Sequence, residues 1–204
     1  MLLVVTFALS ACIKDDSEDY TFVPLSQAEK TMQINNMQGT YNGCAFYNIN
    51  TGNWTIGDSI KTSWTITAND STLSIINFPM KVFASNVVNS QLKEALLNDS
   101  VHTLNARIYL YRPWGTTGTL SYSYFNCIPY STEDLCAVIP LVINNEEKNV
   151  TFVFDTSFYT SFYANGVFDN KKDFSFNLIL KEIQIENGSH FMATTLVMFY
   201  GYKQ

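Results

Sequence analysis

Two long stretches near the C-terminus alternate between apolar and polar residues, and this pattern limits the fold more than any other feature. Residues 174–185 and 191–202 both follow it, and Asn187-Gly188 lies between them. Successive side chains of a β-strand point to opposite faces of a sheet, so a period of two residues predicts half-buried strands. Asn-Gly is typical of a type I′ turn, because both residues tolerate a positive φ. The two stretches therefore predict a β-hairpin. The second stretch departs from strict alternation, because its other face also carries apolar residues, and this predicts a central position in the sheet.

The same alternation recurs through the middle of the chain. Four further segments follow it: 61–68, 106–111, 120–124 and 150–154. In the second of these, Arg107, Tyr109 and Tyr111 share the face opposite the aliphatic side chains. About nine strands linked mostly by hairpins are predicted, with no strand–helix alternation and no long repeat. This pattern favours an all-β domain, either a mainly antiparallel sandwich or an up-and-down, calycin-like barrel, and does not distinguish the two.

One or two short helices are predicted beside the strands. Ser26 and Glu29 have the spacing of a capping box, and Gly39 follows at a plausible C-terminal stop. Residues 90–98 place their apolar side chains on one stripe, which predicts a second short helix packed on the sheet.

The first twelve residues have the features of a bacterial lipoprotein signal peptide. Residues 1–9 are almost entirely apolar, but a membrane-spanning helix needs about 20 residues. Leu9-Ser10-Ala11-Cys12 resembles the lipobox of bacterial lipoproteins, in which the cysteine is acylated and becomes the new N-terminus. No Lys or Arg precedes the apolar residues, which leaves the natural start codon open. The alternative is a buried N-terminal strand with a cysteine there by chance.

A charged segment follows the predicted lipidation site. Residues 13–19 include five charged side chains among seven, which predicts a solvated tether. Lys14-Asp15-Asp16 resembles the surface-export signal of Bacteroidetes-type lipoproteins, in which a lysine and two acids follow the acylated cysteine. This resemblance implies a protein of the outer membrane, exposed at the cell surface, and it implies no activity. The predicted organisation is a signal peptide (1–11), an acidic tether (12–24) and a single β-rich domain (25–204).

Charge argues against nucleic acid as a partner. The chain has 12 Lys and Arg residues against 18 Asp and Glu, for a net charge of −6. Nucleic-acid binding depends on cationic side chains that neutralise phosphates, and the sequence has no basic patch. The predicted membrane partner is therefore reached through the lipid on Cys12 rather than through surface charge.

The remaining cysteines and the two histidines allow few predictions of disulfides or metal sites. We favour a disulfide between Cys127 and Cys136, which flank a short loop, with Cys44 free and buried. The alternative is three reduced, buried cysteines. His102 and His190 have no cysteine or acid at ligand spacing, so neither a metal nor another cofactor is predicted.

No motif in the sequence identifies a catalytic reaction. The sequence lacks a nucleophile elbow, a zinc-protease motif and a glycine-rich phosphate loop. Asp99, Ser100 and His102 contain the residue types of a hydrolytic triad, but a polar turn at the end of a helix explains them better. A non-catalytic protein is therefore predicted.

Aromatic residues carry the remaining functional signal. Trp54 and Trp114 lie among turn residues, and Arg112 is close to the second of them. A tryptophan at a loop tip exposes a large apolar face that favours a partner, and sugar rings stack on such faces. Three tyrosines extend this predicted surface: Tyr122, Tyr124 and Tyr130. The predicted ligand-binding residues are Trp54, Trp114, Arg112 and Tyr130.

These features predict an envelope protein with a non-catalytic binding module for a glycan or another cell-surface component. Two other functions remain open. One is a lipocalin-like barrel that carries an apolar ligand, because Phe and Tyr side chains line cavities as well as fill them. The other is a structural subunit of an envelope assembly.

Overall fold

The computed structural model of the protein describes residues 23–48, 52, 55–113, 115–130, 136–155, 165–186 and 188–204. These residues form ten strands, two α-helices and one 3₁₀ helix. The strands are β1 (Gly39–Tyr47), β2 (Asp58–Thr67), β3 (Thr72–Pro79), β4 (Val101–Tyr111), β5 (Ser123–Pro129), β6 (Cys136–Ile143), β7 (Glu146–Phe154), β8 (Gly166–Phe168), β9 (Asp173–Ile185) and β10 (His190–Lys203). The helices are α1 (Gln27–Met37), the 3₁₀ helix (Met80–Asn86) and α2 (Ser90–Asn98).

Eight strands close into an antiparallel barrel in the order β1-β2-β3-β4-β5-β8-β9-β10. Closure occurs because β10 pairs with both β9 and β1, which also confirms its predicted central position. The hairpin of β6 and β7 extends from the second half of β9, beyond the part that pairs with β8. The all-β prediction is confirmed, and of the two predicted architectures the protein has the barrel. Three short helices accompany it among the described residues, rather than one or two.

The hairpin of β9 and β10 forms as predicted, but its turn differs. The connection spans four residues, 186–189, and the N–H of Gly188 donates to the carbonyl of Ile185 at 2.9 Å. Gly188 is not among the glycines with a positive φ, so the predicted type I′ turn is wrong. That geometry occurs instead between β6 and β7, where Asn144 and Asn145 have φ values of 54° and 63°.

Trp64 lies at the centre of the aromatic core that fills the barrel. Its ring is fully buried and stacks with Tyr41, with ring centroids 5.9 Å apart. Gly43 and Gly201 face each other across β1 and β10 and make room for it. A Cβ atom on either glycine would lie 2.7 Å or 2.6 Å from the edge of the Trp64 ring. The other large buried rings of the interior are Phe78, Phe83, Phe125, Phe152, Phe168, Phe174, Phe176 and Phe199.

Helix α1 forms as the capping box predicts and packs on the barrel. The Ser26 hydroxyl accepts the N–H of Glu29, and the Glu29 carboxylate accepts the N–H of Ser26 at 2.8 Å. At the other end of the helix, the Tyr41 hydroxyl donates to the carbonyl of Met37. Helix α2 also has the predicted bounds, and the Asn89 side chain caps its N-terminus.

Candidate ligand-binding site on the outer wall of the barrel

Two of the four residues predicted to bind a ligand fall within the described part of the chain. Arg112 directly follows β4, and Tyr130 directly follows β5, so they lie at opposite ends of the β4–β5 hairpin. Trp54 and Trp114 lie outside the described residues, as does the predicted lipidation site Cys12. Their roles stay predictions.

Arg112 is buried, and its guanidinium group links α1 to the loop after β4. Its side chain is 5% exposed; one nitrogen donates to the Glu29 carboxylate and another to the carbonyl of Gly118 at 2.7 Å. Hydrogen bonds from Ser26, together with the Arg112 charge, hold the pKa of Glu29 below its usual value. The sequence led us to expect an exposed guanidinium that binds ligand hydroxyls. The structure corrects this expectation, because protein acceptors already occupy the group.

The predicted disulfide between Cys127 and Cys136 is not formed. Cys127 is a free, buried thiol on β5, and burial raises its pKa. Cys136 begins β6, which pairs with β7, whereas β5 lies between β4 and β8. A short loop in sequence therefore connects two strands that are not hydrogen-bonded neighbours. Cys44 is free as predicted, but it is half-buried rather than buried.

Tyr130 is half-buried and supports the guanidinium group of Arg107. The central carbon of this group lies 4.8 Å from the centroid of the Tyr130 ring, within the range of a cation–π contact. The backbone N–H of Tyr130 donates to the carbonyl of Asn105 at 3.1 Å, which holds the ring beside β4. Arg107 itself is exposed on the outer face of β4.

Five tyrosines lie along this hairpin, and we call them the tyrosine strip. Its members are Tyr109 and Tyr111 on β4, Tyr124 on β5, and Tyr122 and Tyr130 just before and just after β5. Each is half-buried except Tyr122, which is 46% exposed. The rings of Tyr122 and Tyr124 have centroids 6.2 Å apart. The strip therefore offers several partly accessible rings on one side of the barrel.

Strand alternation explains why these rings face outward. Ile108 and Phe125 are buried inside the barrel, so their neighbours Tyr109 and Tyr124 point to the outside. Tyr111 lies directly opposite Tyr124 in the β4–β5 register. Opposite residues of an antiparallel pair share one face of the sheet, so both rings belong to the same surface.

The hydroxyl group of Tyr111, one member of the strip, is neutral at physiological pH. Burial raises the pKa of Tyr111 to about 12, and the neighbouring Tyr124 raises it further in the same direction. A neutral phenol both donates and accepts hydrogen bonds, whereas a phenolate only accepts them. The Tyr111 hydroxyl thus both donates and accepts hydrogen bonds where the two strands meet.

A polar groove of about 470 Å³ borders the strip. It lies between α1 and the edge of the barrel, and Tyr109 forms part of its wall. Its polar side chains come from the helix and from the turn between β2 and β3: Lys30, Thr31, Asn35, Asn69 and Ser71. Amide and hydroxyl groups therefore lie next to aromatic rings, a combination suited to ligands with alternating polar and apolar faces.

A row of small polar side chains crosses the same outer wall toward β1. Thr40, Thr65, Ser74 and Asn105 are register partners on β1 to β4. The Ser74 hydroxyl donates to the Asn105 side-chain oxygen at 2.7 Å, and the two threonine hydroxyls are 3.5 Å apart. The wall is thus polar beside the tyrosine strip rather than apolar.

Two other concave regions differ from this surface. A cleft of about 590 Å³ lies between α2 and the β6–β7 turn and includes Glu94, Asp99 and Asn144. It has no aromatic side chain in its lining. The Asp99 carboxylate accepts a hydrogen bond from Nε2 of His102 at 2.8 Å, as expected for a polar turn at the end of α2. An apolar hollow of about 360 Å³ on the opposite wall includes Phe46 and Met198 in its lining.

The helices in the described part of the chain lack the length and hydropathy that a membrane-spanning helix needs.

Residues 36–185 match a protein family described as a domain of unknown function, DUF4840. The chain belongs to the DUF4840 family. The matched region of this DUF4840 chain contains β1 to β9, and with them the whole tyrosine strip; β10, which closes the barrel, follows it. A search of curated proteins found no match, and a search of solved structures found none.

Three residues of the outer wall at β4 were not predicted from the sequence as ligand-binding residues: Arg107, Tyr109 and Tyr111. The signal was present, because the alternation in residues 106–111 puts all three on one face. The sequence pattern does not show which strand pairs with β4. Only the register of β4 with β5 reveals that Tyr111 lies opposite Tyr124.

Proposed function

We propose that the protein is an exported, lipid-anchored envelope protein whose barrel binds glycans, without catalysis, on the outer wall of β4 and β5. The tyrosine strip is the observation that carries this proposal. Sugar rings present C–H groups with a slight positive charge, which stack favourably on the negative faces of aromatic rings. The phenol groups of the strip, and the amide and hydroxyl groups beside it, supply hydrogen-bond partners for the sugar hydroxyl groups.

The filled interior supports a surface site over an internal one. Trp64 and six buried phenylalanines of the barrel strands fill the barrel, and Phe176 and Phe199 stack with centroids 4.3 Å apart. A carrier of the lipocalin type needs interior volume for its ligand. The aromatic side chains that could line such a cavity are in contact with one another instead, so this packing gives the carrier function no support.

The proposal of a lipid anchor depends on the N-terminal sequence. Cys12 lies eleven positions before the first described residue, and the acidic segment lies between them. A solvated tether of this length spans roughly 35 Å when extended. It would hold the barrel close to a membrane and leave the outer wall of β4 and β5 accessible.

Glycan binding is tested by screening the purified protein on a glycan array and measuring affinities for the best ligands by calorimetry. We expect Tyr124→Ala to weaken binding at least about tenfold, because binding energy concentrates in a few aromatic contacts. Tyr202→Ala is the matched control, since Tyr202 is an exposed tyrosine on β10, away from the strip. Equal losses in both variants, or binding untouched by Tyr124→Ala, would remove the strip as the site.

Anchoring is tested separately by cell fractionation. Cys12→Ala should move the protein from the membrane to the soluble fraction. Replacement of Lys14, Asp15 and Asp16 by alanine should keep the protein in the membrane but reduce its digestion by protease added to intact cells. A Cys12→Ala protein that stays with the membrane contradicts the lipid anchor.

A further inference from the structure

Arg107 differs from the other arginine of the chain in what surrounds its charge. The sequence contains two arginines, and Arg112 is buried against Glu29. Arg107 is exposed on the outer wall, and no carboxylate among the described residues forms an ion pair with it. The net charge of the protein is −6, and Arg107 is a cation without an ion-pair partner in the described part of this acidic chain.

The Tyr130 ring holds the guanidinium group in place without using its hydrogen-bond donors. The contact is between the ring face and the group, at 4.8 Å from the central carbon. A guanidinium that stacks on a ring keeps its N–H groups at its edge, where they match the two oxygens of a carboxylate. Part of the entropy cost of ordering the long side chain is thus already met before a ligand binds.

The described side chains next to Arg107 add neutral hydrogen-bonding groups and no acid that pairs with it. Asn105 lies two residues before Arg107, on the same face of β4. Its side-chain oxygen accepts a hydrogen bond from Ser74 at 2.7 Å, which leaves the amide N–H₂ as a donor. Thr72 is the register partner of Arg107 on β3. The nearby Asp70 carboxylate accepts the N–H of Thr72 at 3.2 Å and is therefore oriented toward its own turn.

We propose that Arg107 binds the carboxylate of an acidic sugar unit, so that the strip recognises a uronate-containing glycan rather than a neutral one. This inference rests on the proposed glycan-binding function and names its ligand class. Arg107 supplies the positive charge, and Asn105 supplies a neutral hydrogen-bond donor. The Tyr130 ring packs against the guanidinium and is also a member of the tyrosine strip. One sugar unit with a carboxylate therefore lies over Arg107, and the glycan continues toward Tyr109 on the same face of β4.

The test compares two probes of the same shape and different charge. Trigalacturonic acid and its methyl ester share the same sugar backbone, and in the ester a methyl group replaces the charge on each carboxyl group. The wild-type protein should bind the acid about tenfold more tightly, which is the usual effect of a charge-assisted hydrogen bond at an accessible site. High salt should reduce this preference, because exposed charges are screened.

Arg107→Gln should abolish the preference for the acid, because it removes the charge that distinguishes the two probes. Arg107→Lys should restore only part of the preference, because an ammonium group lacks the planar pair of donors. The matched control is Lys61→Gln, which removes an exposed cation on β2 outside the strip. All three variants should melt at the wild-type temperature, since Arg107 has no structural ion pair among the described residues.

The outcomes separate this inference from the proposed function. Equal affinity for acid and ester, or a preference that survives Arg107→Gln, overturns the assignment of Arg107 even if Tyr124→Ala weakens both ligands. A sulfated galactan oligomer bound more tightly than the uronate overturns the choice of a carboxylate. If no glycan binds at all, the proposed function fails together with this inference. A marked fall in melting temperature for Arg107→Gln would assign the residue to folding instead.

Discussion

Tyr124 and Phe125 are consecutive residues of β5, yet they belong to different regions of the molecule. Phe125 is fully buried inside the barrel, with its ring centroid 4.9 Å from that of Phe174. Tyr124 is half-buried on the outside, opposite Tyr111. Both regions are rich in aromatic rings, but the inner rings are fully buried against other rings while the outer rings remain partly exposed. We conclude that aromatic content on its own does not identify function; the direction in which each ring points does.

The largest effect is expected at the centre of the core. Trp64→Ala should lower the free energy of unfolding by about 3–5 kcal/mol, because it removes a fully buried ring and leaves a cavity. Chemical denaturation followed by circular dichroism measures this loss. Trp64→Phe is the control, and it should cost much less, since it keeps an aromatic ring and removes an indole N–H that has no hydrogen-bond partner among the described residues. A Trp64→Ala protein as stable as the wild type would contradict the packed interior.

A smaller effect is expected where α1 joins the barrel. Arg112→Gln should lower the melting temperature by a few degrees, because the loop after β4 loses its link to Glu29. Glu29→Gln should also destabilise the fold at neutral pH. The pKa of Glu29 is lowered in the folded state, so its contribution is present above the ordinary value of 4.5 and is lost as the pH falls through the folded-state pKa. Melting curves of wild type and Glu29→Gln should therefore converge in acid, and a constant difference would refute the ion pair.

Little change in stability is expected for the two loop tryptophans. Trp54→Ala and Trp114→Ala should each change the free energy of unfolding by less than about 1 kcal/mol, as is usual for surface positions. If these rings belong to the binding surface, each variant should nevertheless lose affinity for the glycan. Thermal melting and calorimetric titration of the same samples decide the matter. Collapse of the fold in both variants would assign the two rings to packing.

The smallest effect is expected at Tyr111 and only at high pH. Its pKa is raised to about 12 in the folded protein, above the ordinary value of 10.0. The corresponding stabilisation is complete below the ordinary value and is lost as the pH rises through about 12. Between pH 10 and about pH 12, the free energy of unfolding of Tyr111→Phe should therefore fall less than that of the wild type. Ultraviolet absorbance of tyrosinate, recorded across the same range, should lack one late-titrating group in the variant.

The sequence was sufficient for those parts of the fold that depend on local patterns. The capping box at Ser26 predicted the start of α1, and alternation in residues 174–185 predicted β9. The choice between barrel and sandwich depends on the pairing of β10 with β1, whose residues are far apart in the chain, and no local pattern encodes it. The 3₁₀ helix Met80–Asn86 was not predicted, because its buried apolar residues have no clear period.

The candidate site was predictable only in part, for the same reason. Tyr130 followed from its position among aromatic residues, but its partner Arg107 lies on another strand. Arg112 suggested an exposed group, because it is next to a turn in sequence, whereas its acidic partner Glu29 is 83 residues away. The short loop between Cys127 and Cys136 suggested a disulfide, although the two strands that it connects are not paired. Local sequence thus predicts which residues face outward better than it predicts which residues meet.

The central claim is that inner rings hold the fold and outer rings of β5 bind a ligand. The most direct test measures melting temperature and glycan affinity for Phe125→Ala and Tyr124→Ala in parallel. We predict that Phe125→Ala costs about 3–5 kcal/mol of stability, while Tyr124→Ala costs less than about 1 kcal/mol and loses most of its affinity. A Tyr124→Ala protein that unfolds as readily as Phe125→Ala, or that binds the glycan as tightly as the wild type, would contradict the claim.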